Sequence, residues 1–253
     1  MKTIILCGGL GSRLGSETIS KPKPMVEIGN KPILWHILKK YSNSGFDEFL
    51  LALGYKSEII KNYFKDFKSI NDNFKINLKN GDLKYLSKNS ENWDVSLIET
   101  GKNSMTGGRI LRLKEFINDT FMVTYGDGLC DVNISELIKF HKSHGKIATL
   151  TCVRPPARFG GIKFDGDKVV EFKEKKQIDT GWINGGYFVF NPRIFNYIEN
   201  DFTVLEEFTL EKLVKDQELM AFKHEGFWQC MDTKRDLDFI NELIENKNTP
   251  WLK

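Results

Sequence analysis

Short, unbroken apolar runs alternate with stretches of helical spacing through the first half of the chain. Thr3 to Cys7 reads as a buried strand; a glycine-rich turn follows, and a polar loop continues to Gly29. Lys31 to Ser44 carries apolar residues at helical spacing, with Pro32 near its first turn and Gly45 after its end, positions that suit helix boundaries. Phe49 to Leu53 is a second apolar run, Lys56 to Phe64 is helical in period, Val95 to Glu99 is extended, and Gly108 to Ile117 is amphipathic. Thr120 to Tyr125 and Ile134 to His144 repeat the strand-then-helix pattern. Parallel neighbours need a crossover, usually a helix, so this alternation predicts βαβ units and a largely parallel sheet.

Beyond residue 145 the pattern turns strand-rich. Ala148 to Val153, Gly161 to Phe164, Lys168 to Phe172 and Tyr187 to Phe190 read as extended, with Asp165-Gly166-Asp167 a hairpin turn between two of them. Lys234 to Glu245 closes the chain as a helix. There is no internal repeat, low-complexity segment or linker. The expectation is one α/β domain over 1–253, a mixed central sheet flanked by helices, with β-rich insertions.

Composition narrows the partners. Lys and Arg number 37 against 34 Asp and Glu, a net +3, and the basic residues are spread along the chain, which excludes a nucleic-acid surface. The cysteines, Cys7, Cys130, Cys152 and Cys230, lie far apart with no metal-ligand spacing, so free thiols in a reducing cytoplasm are expected. The opening residues lack the basic start and long apolar stretch of a leader, and no apolar run approaches the roughly 18 residues of a membrane span.

Candidate chemistry begins in the turn after the first strand, Gly8-Gly9-Leu10-Gly11-Ser12-Arg13-Leu14. Consecutive glycines let backbone N–H groups turn toward an anion, and an arginine adds a positive fork. No Gly-Lys-Ser/Thr follows, so this is not a P-loop, and Leu14 stands where a dinucleotide fingerprint needs its third glycine. The bland alternative is a tight turn without a ligand. Lys23 lies in Lys21-Pro22-Lys23-Pro24, a stiff backbone with a mobile ammonium tip that suits a phosphate changing geometry; the alternative is a solvated charge. Asp127 stands in a Gly-Asp-Gly turn after a strand, and Asp232 also follows a strand-like run. Two such carboxylates suit magnesium, which takes few protein oxygens; alone, Asp127 reads as a turn aspartate. The four histidines, His36, His141, His144 and His224, show no metal spacing, and Ser12 has no apparent His/Asp partners for nucleophilic work.

Taken together, Gly8 to Arg13, the run from Lys21 to Ile37, Thr100-Gly101, Ser104 to Arg109, Thr124 to Gly128, Arg158-Phe159-Gly160, Ile183 to Gly186 and Gly226 to Gln229 before Met231-Asp232-Thr233 resemble the sugar-1-phosphate nucleotidyltransferases, in their glucose-1-phosphate cytidylyltransferase branch. The motifs occur in family order over nearly the whole chain. The resemblance implies a Rossmann-like nucleotidyltransferase fold, with a nucleotide-binding part over about 1–130 and a sugar-phosphate-binding part over about 131–253. It implies that Leu6, Gly8, Gly9, Gly11, Ser12 and Arg13 hold the nucleotide and its triphosphate, with Glu99, Gly101 and Ser104 near the base. It also implies that Lys23 meets the phosphates at the reacting centre, and that Arg109 contacts a phosphate of its own or a neighbouring subunit's nucleotide. Asp127 and Asp232 are implied as magnesium ligands, and Tyr125, Gly160, Glu174, Lys175 and Asn184 as the sugar-phosphate site. A homo-oligomer acting on CTP and a sugar 1-phosphate is implied as well. Two segments depart from the pattern on the sugar side: Glu174-Lys175-Lys176, where the family has proline third, and Leu205 to Leu210, where it reads Trp-Glu-x-Glu-Pro-Leu.

The implied reaction is an in-line attack of a phosphate oxygen on the α-phosphorus of a nucleoside triphosphate. The attacking group is already an anion, so no general base is needed, and the obstacle is to bring two polyanions together. Arg13, Lys23, Arg109, Lys175 and a metal meet that need. A carboxylate accepts from the amine of cytosine and repels the carbonyl of uracil. Glu99 is the candidate reader; the alternative is that backbone near Gly101 selects the base and Glu99 pairs with a lysine. Transfer to another phosphorylated acceptor, uridylyl or thymidylyl transfer, and a non-catalytic nucleotide sensor stay open, while an NAD-dependent oxidoreductase is disfavoured by the failed fingerprint.

Overall fold

The computed structural model describes residues 1–11, 14–15, 17–87, 91–156, 161–173 and 181–253. Seven strands form the central sheet: β1 Thr3–Leu6, β2 Glu48–Leu53, β3 Asp94–Glu99, β4 Phe121–Tyr125, β5 Ala148–Val153, β6 Ile183–Phe190 and β7 Leu219–His224, in the spatial order β7-β5-β6-β4-β1-β2-β3. The β1–β2, β2–β3, β1–β4 and β5–β7 pairs are parallel, whereas β6 runs antiparallel to both β4 and β5. The sheet is therefore mixed, and a strand of the second half pairs directly with one of the first.

The apolar run of β1 is continuous because both of its faces are covered. Ile5 and Cys7 join the core on one face with Ile33, Leu34, Ile37 and Leu38 of the helix Ile33–Asn43, while Ile4 and Leu6 join the other with Ile110, Phe188 and Phe190. Successive side chains of a strand point to opposite faces, so a strand buried on both cannot alternate in polarity.

The chain leaves β1 through the helix Ile33–Asn43 to β2 and through the helix Ser57–Asn71 to β3, then returns to place β4 on the other side of β1. Connections thus diverge between β1 and β4, and a doubly wound sheet opens a crevice beyond the strand ends at such a divergence.

Element boundaries differ from the sequence expectations for local reasons. Pro32 lies outside the first long helix: Lys31–Pro32 pairs with Glu27–Ile28, and Pro32 is the extended residue at the helix entrance. The second helix runs on past Phe64 to Asn71. The expected helix from Gly108 to Ile117 is instead a helix Thr106–Leu111 and a 3-10 turn Lys114–Phe116. It begins early because Gly107 and Gly108 lie against the Asp201–Thr203 backbone; a Cβ on Gly108 would stand 2.1 Å from the Asp201 carbonyl oxygen. Strand β7 and the short strands Phe74–Ile76, Leu83–Tyr85 and Gly128–Cys130 had no expectation, the last three because strands of three residues are too short to show a period, while the strand-like run before Asp232 is Trp228–Cys230, paired with Gly128–Cys130. Among the described residues, no helix is long and apolar enough to cross a membrane.

Two helix histidines are packed as neutral groups. Trp251 Nε1 donates to His36 Nδ1 at 3.2 Å, while His36 Nε2 faces the Ile28 carbonyl at 3.3 Å. A proton on Nδ1 would remove the acceptor that Trp251 needs. His141 Nδ1 lies 2.9 Å from Thr149 Oγ1. Burial, ahead of any neighbouring charge, pulls each imidazole from its ordinary 6.5 to about 4. As pH falls below about 6.5 the unfolded chain takes up protons that the folded chain refuses until about 4, so stability falls across that window. Urea unfolding should show a loss of up to about 3 kcal/mol per histidine between pH 7 and pH 4. His141→Gln should flatten the dependence; an unchanged pH slope in that variant would show that burial of His141 does not contribute.

Candidate active site

A cavity of about 740 Å³ opens beyond the ends of β1 and β4, at the divergence between them. Leu6, Gly8, Gly9 and Gly11 of the glycine-rich turn form one wall, and Tyr125, Gly126 and Asp127 form another. Gly126 is glycine because the two walls meet there: a Cβ would stand 2.8 Å from Pro24 Cγ and 2.9 Å from the Leu6 carbonyl oxygen.

Lys23, Asp127 and Asp232 converge on this cavity. Lys23-Pro24-Met25 forms a buried 3-10 turn, entered through Pro22 at φ −70°, so the prolines do stiffen the backbone around the lysine. Gly11, at φ +65°, leaves room for the lysine stem, since a Cβ there would stand 2.9 Å from Lys23 Cβ. Asp127 follows β4, and Asp232 follows the strand Trp228–Cys230, which pairs with Gly128–Cys130. The Met231 amide donates to the Asp127 carbonyl at 2.9 Å, and the Asp232 amide to Asp236 Oδ2 at 3.2 Å. A capping box of Thr233 and Asp236 starts the last long helix at this place, so helix capping also fixes the backbone of Asp232.

Lys23 Nζ donates to Asp127 Oδ2 at 2.6 Å and to Asp232 Oδ1 at 2.5 Å. Burial pulls the ammonium pKa down, but the Asp127 charge and the hydrogen bonds to both carboxylates outweigh it and hold the pKa above the ordinary lysine value. The carboxylate oxygens and Cys230 Sγ all lie within 4.8 Å of one another. A pair of carboxylates sharing one ammonium is a cation site, and its donors, hard oxygens open to a cavity that can supply water or phosphate oxygens, fit a small divalent cation. Cys230 was read from the sequence only as a free thiol. It ends the strand Trp228–Cys230, two residues before Asp232, which brings its thiol beside the carboxylate pair.

Arg109 borders the same cavity but turns inward. The residue is 5 % exposed. Its Nη1 donates to the Leu53 carbonyl at 3.0 Å, the Gly101 carbonyl at 2.7 Å and Thr100 Oγ1 at 2.9 Å, and Nη2 donates to the Gly8 carbonyl at 3.0 Å. Two glycines make the slot: a Cβ on Gly8 would stand 2.2 Å from the guanidinium carbon, and one on Gly54 2.5 Å from Nη1. Burial lowers the arginine pKa from its ordinary value. In this structure Arg109 thus ties the glycine-rich turn to the exits of β2 and β3, where the sequence reading had it meet a phosphate. The buried carbonyls it satisfies would otherwise lack a partner.

The remaining expected residues separate. Ser104 lines the cavity and donates to the Thr100 carbonyl, and Gly101 takes φ +90° just before it. Glu99 is not among the residues lining the cavity. Its carboxylate sits at the end of β3, the sheet edge, and accepts from Lys61 Nζ and from Ser57 Oγ, the latter at 2.7 Å. The Lys61 hydrogen bond, the largest influence, lowers the Glu99 pKa. Lys61 and Ser57 of the neighbouring helix hold Glu99 there, which is the lysine pairing that the alternative sequence reading gave it. Of the residues expected at the sugar phosphate, Asn184 Nδ2 donates to Tyr125 Oη at 3.1 Å. Ser12, Arg13, Gly160, Glu174 and Lys175 lie outside the described residues.

Comparison with known proteins fits this geometry. The family described as nucleotidyl transferase matches residues 2–246. The chain is 47% identical over 253 residues to the glucose-1-phosphate cytidylyltransferase of Salmonella typhi, covering 99% of this chain and 98% of that protein. It is 41% identical to the probable glucose-1-phosphate cytidylyltransferase of Bacillus subtilis (strain 168), over 99% of each. Among solved structures it is similar to HddC from Yersinia pseudotuberculosis, with a TM-score of 0.69, 26% identity, and coverage of 96% of this chain and 99% of that one.

The Arg109 slot yields a test. Gly54→Ala should displace the guanidinium and lower the unfolding free energy by about 2–4 kcal/mol, as loss of a buried hydrogen-bond network does. Arg109→Lys, which cannot reach the same carbonyls at once, should cost a similar amount. The double variant should be no worse than the worse single one, since both remove the same bonds. Additive losses in urea unfolding would count against the slot.

Proposed function

We propose a specific reaction for this chain, which belongs to the nucleotidyl transferase family: transfer of the cytidylyl group of CTP to glucose 1-phosphate, giving CDP-glucose and pyrophosphate. The reaction class rests on the convergence of Lys23, Asp127 and Asp232 at one cavity mouth. The base and the sugar rest on the near full-length similarity to the Salmonella typhi glucose-1-phosphate cytidylyltransferase.

The residues divide the work as follows. The backbone of Gly8, Gly9 and Gly11 receives the triphosphate, in a turn whose shape Arg109 maintains. Lys23 has a packed stem and a tip paired with two carboxylates at the cavity, so its ammonium can exchange a carboxylate for a phosphate oxygen as substrates enter and then neutralise charge on the reacting phosphates. Asp127 and Asp232 would hold magnesium, which when bound supplies further neutralisation of the phosphates. Arg13 and Lys175 take the triphosphate and the sugar phosphate in this reading, on their positions in the motifs. No side chain acts as nucleophile or general base, because the acceptor phosphate already carries the attacking electron pair. Base selection is assigned to the backbone from Gly101 to Ser104, beside the cavity.

A pyrophosphate-release screen of the four nucleoside triphosphates against a panel of phosphorylated sugars tests the reaction. CTP with glucose 1-phosphate should be the best pair, excess chelator should abolish release, and magnesium should restore it. Asp127→Asn and Asp232→Asn should each lower turnover by on the order of 10²–10³, the scale of losing one preorganised charge contact. A better rate with another pair would replace the substrates, and full activity in chelator would remove the metal.

Glu99→Gln separates the two ways of reading the base. A direct contact would narrow the CTP over UTP preference by about 1–3 kcal/mol. The expected result is an unchanged preference; a narrowing of that size would return Glu99 to the site.

A further inference from the structure

Glu206 belongs to the segment that departs from the family pattern, and no role followed for it from the sequence. It stands in a single π-helical turn, Leu205–Thr209, a geometry that is rare and recurs at functional sites. Its carboxylate reaches across to two residues of the cavity wall. Glu206 Oε1 accepts from the Tyr125 hydroxyl, and Oε2 accepts from Thr106 Oγ1 at 2.7 Å. Thr106 Oγ1 in turn accepts from the Leu205 amide at 2.9 Å, which fastens the turn to the start of the helix Thr106–Leu111.

Tyr125 is held as firmly as its partner. Its ring lies in a notch left by Gly186, where a Cβ would stand 2.5 Å from ring carbon Cδ2, and it meets Phe188 edge to face with ring centroids 5.8 Å apart. At neutral pH a phenol keeps its proton. A phenol has one O–H to give and two lone pairs to receive with. The O–H goes to Glu206, and one lone pair takes the Asn184 amide at 3.1 Å. Tyr125 borders the cavity, and its hydroxyl oxygen therefore has one capacity left, which is to accept.

We propose that Glu206 is a positioning residue for the acceptor subsite: by taking the only hydroxyl proton of Tyr125, it makes the tyrosine oxygen an obligate acceptor for a hydroxyl group of the sugar. The inference rests on the reading above that a sugar phosphate binds on this side. It adds that the subsite selects for a hydroxyl donor at one sugar position and against the deoxy or O-methyl analogue at that position.

The test measures glucose 1-phosphate KM and kcat by pyrophosphate release, with the CTP Kd by calorimetry, for the wild type, Glu206→Ala, Glu206→Gln, Tyr125→Phe and the Glu206→Ala/Tyr125→Phe pair. Glu206→Ala and Tyr125→Phe should each raise the sugar-phosphate KM about tenfold, the size of a lost hydrogen bond in a site, with the CTP Kd unchanged. The double variant should match the singles. Glu206→Gln, whose amide oxygen still accepts from Tyr125, should recover most of the loss. A panel of monodeoxyglucose 1-phosphates should show one position penalised in the wild type and not in Tyr125→Phe. Additive losses, an equal rise in the CTP Kd, or no penalised position would overturn the proposal. Thermal unfolding of Glu206→Ala identifies a folding failure, in which case Tyr125→Phe and Glu206→Gln decide alone. A wild type that makes no pyrophosphate from any sugar 1-phosphate would instead refute the reaction itself.

Discussion

Two carboxylates held within 4.8 Å of each other repel, and the chain brings Asp127 and Asp232 that close from two separate strands. At an effective dielectric near 20 the repulsion is worth about 3 kcal/mol, a large share of a domain's net stability. It persists only because a cation lies between them, and in this structure that cation is the Lys23 ammonium. Lys23 thereby joins three parts of the fold: the turn after β1, the exit of β4, and the entrance to the last helix. The site is organised by its own electrostatics before any substrate arrives, and in the proposed reaction the same ammonium is the one that phosphates would compete for.

That arrangement depends on how closely backbones can approach around the cavity, which explains where the glycines fall. Gly11 makes room for the lysine stem, Gly126 lets β4 leave beneath Pro24, and Gly8 and Gly54 admit the Arg109 guanidinium. A glycine-rich motif next to a phosphate site is commonly read as freedom of the backbone to wrap an anion. Here Gly8 of that motif, with Gly54 at the end of β2, also admits a protein cation. Arg109 restrains a turn that glycine would otherwise leave loose, offsetting the conformational entropy that such residues lose on folding.

Features that depend on residue type and local spacing were legible in the sequence; those that depend on direction across space were not. The alternation of strands and helices up to β4 is written in apolar periods, and Lys23, Asp127 and Asp232 stood out because proline, glycine and strand-end contexts constrain them locally. Arg109 and Glu99 carry the right charge for the roles expected of them, but a motif does not say which way a long side chain turns. Arg109 is drawn inward by carbonyls at the ends of two strands, and Glu99 outward by Lys61 on the next helix. Glu206 was hidden for another reason. Its segment departs from the family pattern in most positions, and only the fold shows that the carboxylate still meets Thr106 and Tyr125.

Tyr125 and Asp127 are two residues apart at the exit of β4, and that spacing relates the two halves of the cavity. Tyr125 is fixed by Glu206, Asn184 and the Gly186 notch, all contributed by the second half of the chain. Asp127 is fixed by Lys23 from the first half and by the backbone bond from Met231. A group bound at the tyrosine oxygen is therefore indexed to the same strand end as the carboxylate pair, through covalent backbone and not through a loop. Positioning of this kind costs little when substrates meet, because the strand is already ordered by its neighbours on both sides. It also explains why a sheet that is parallel around β1 accepts one antiparallel strand: β6 is the element that brings Asn184 and Gly186 beside β4.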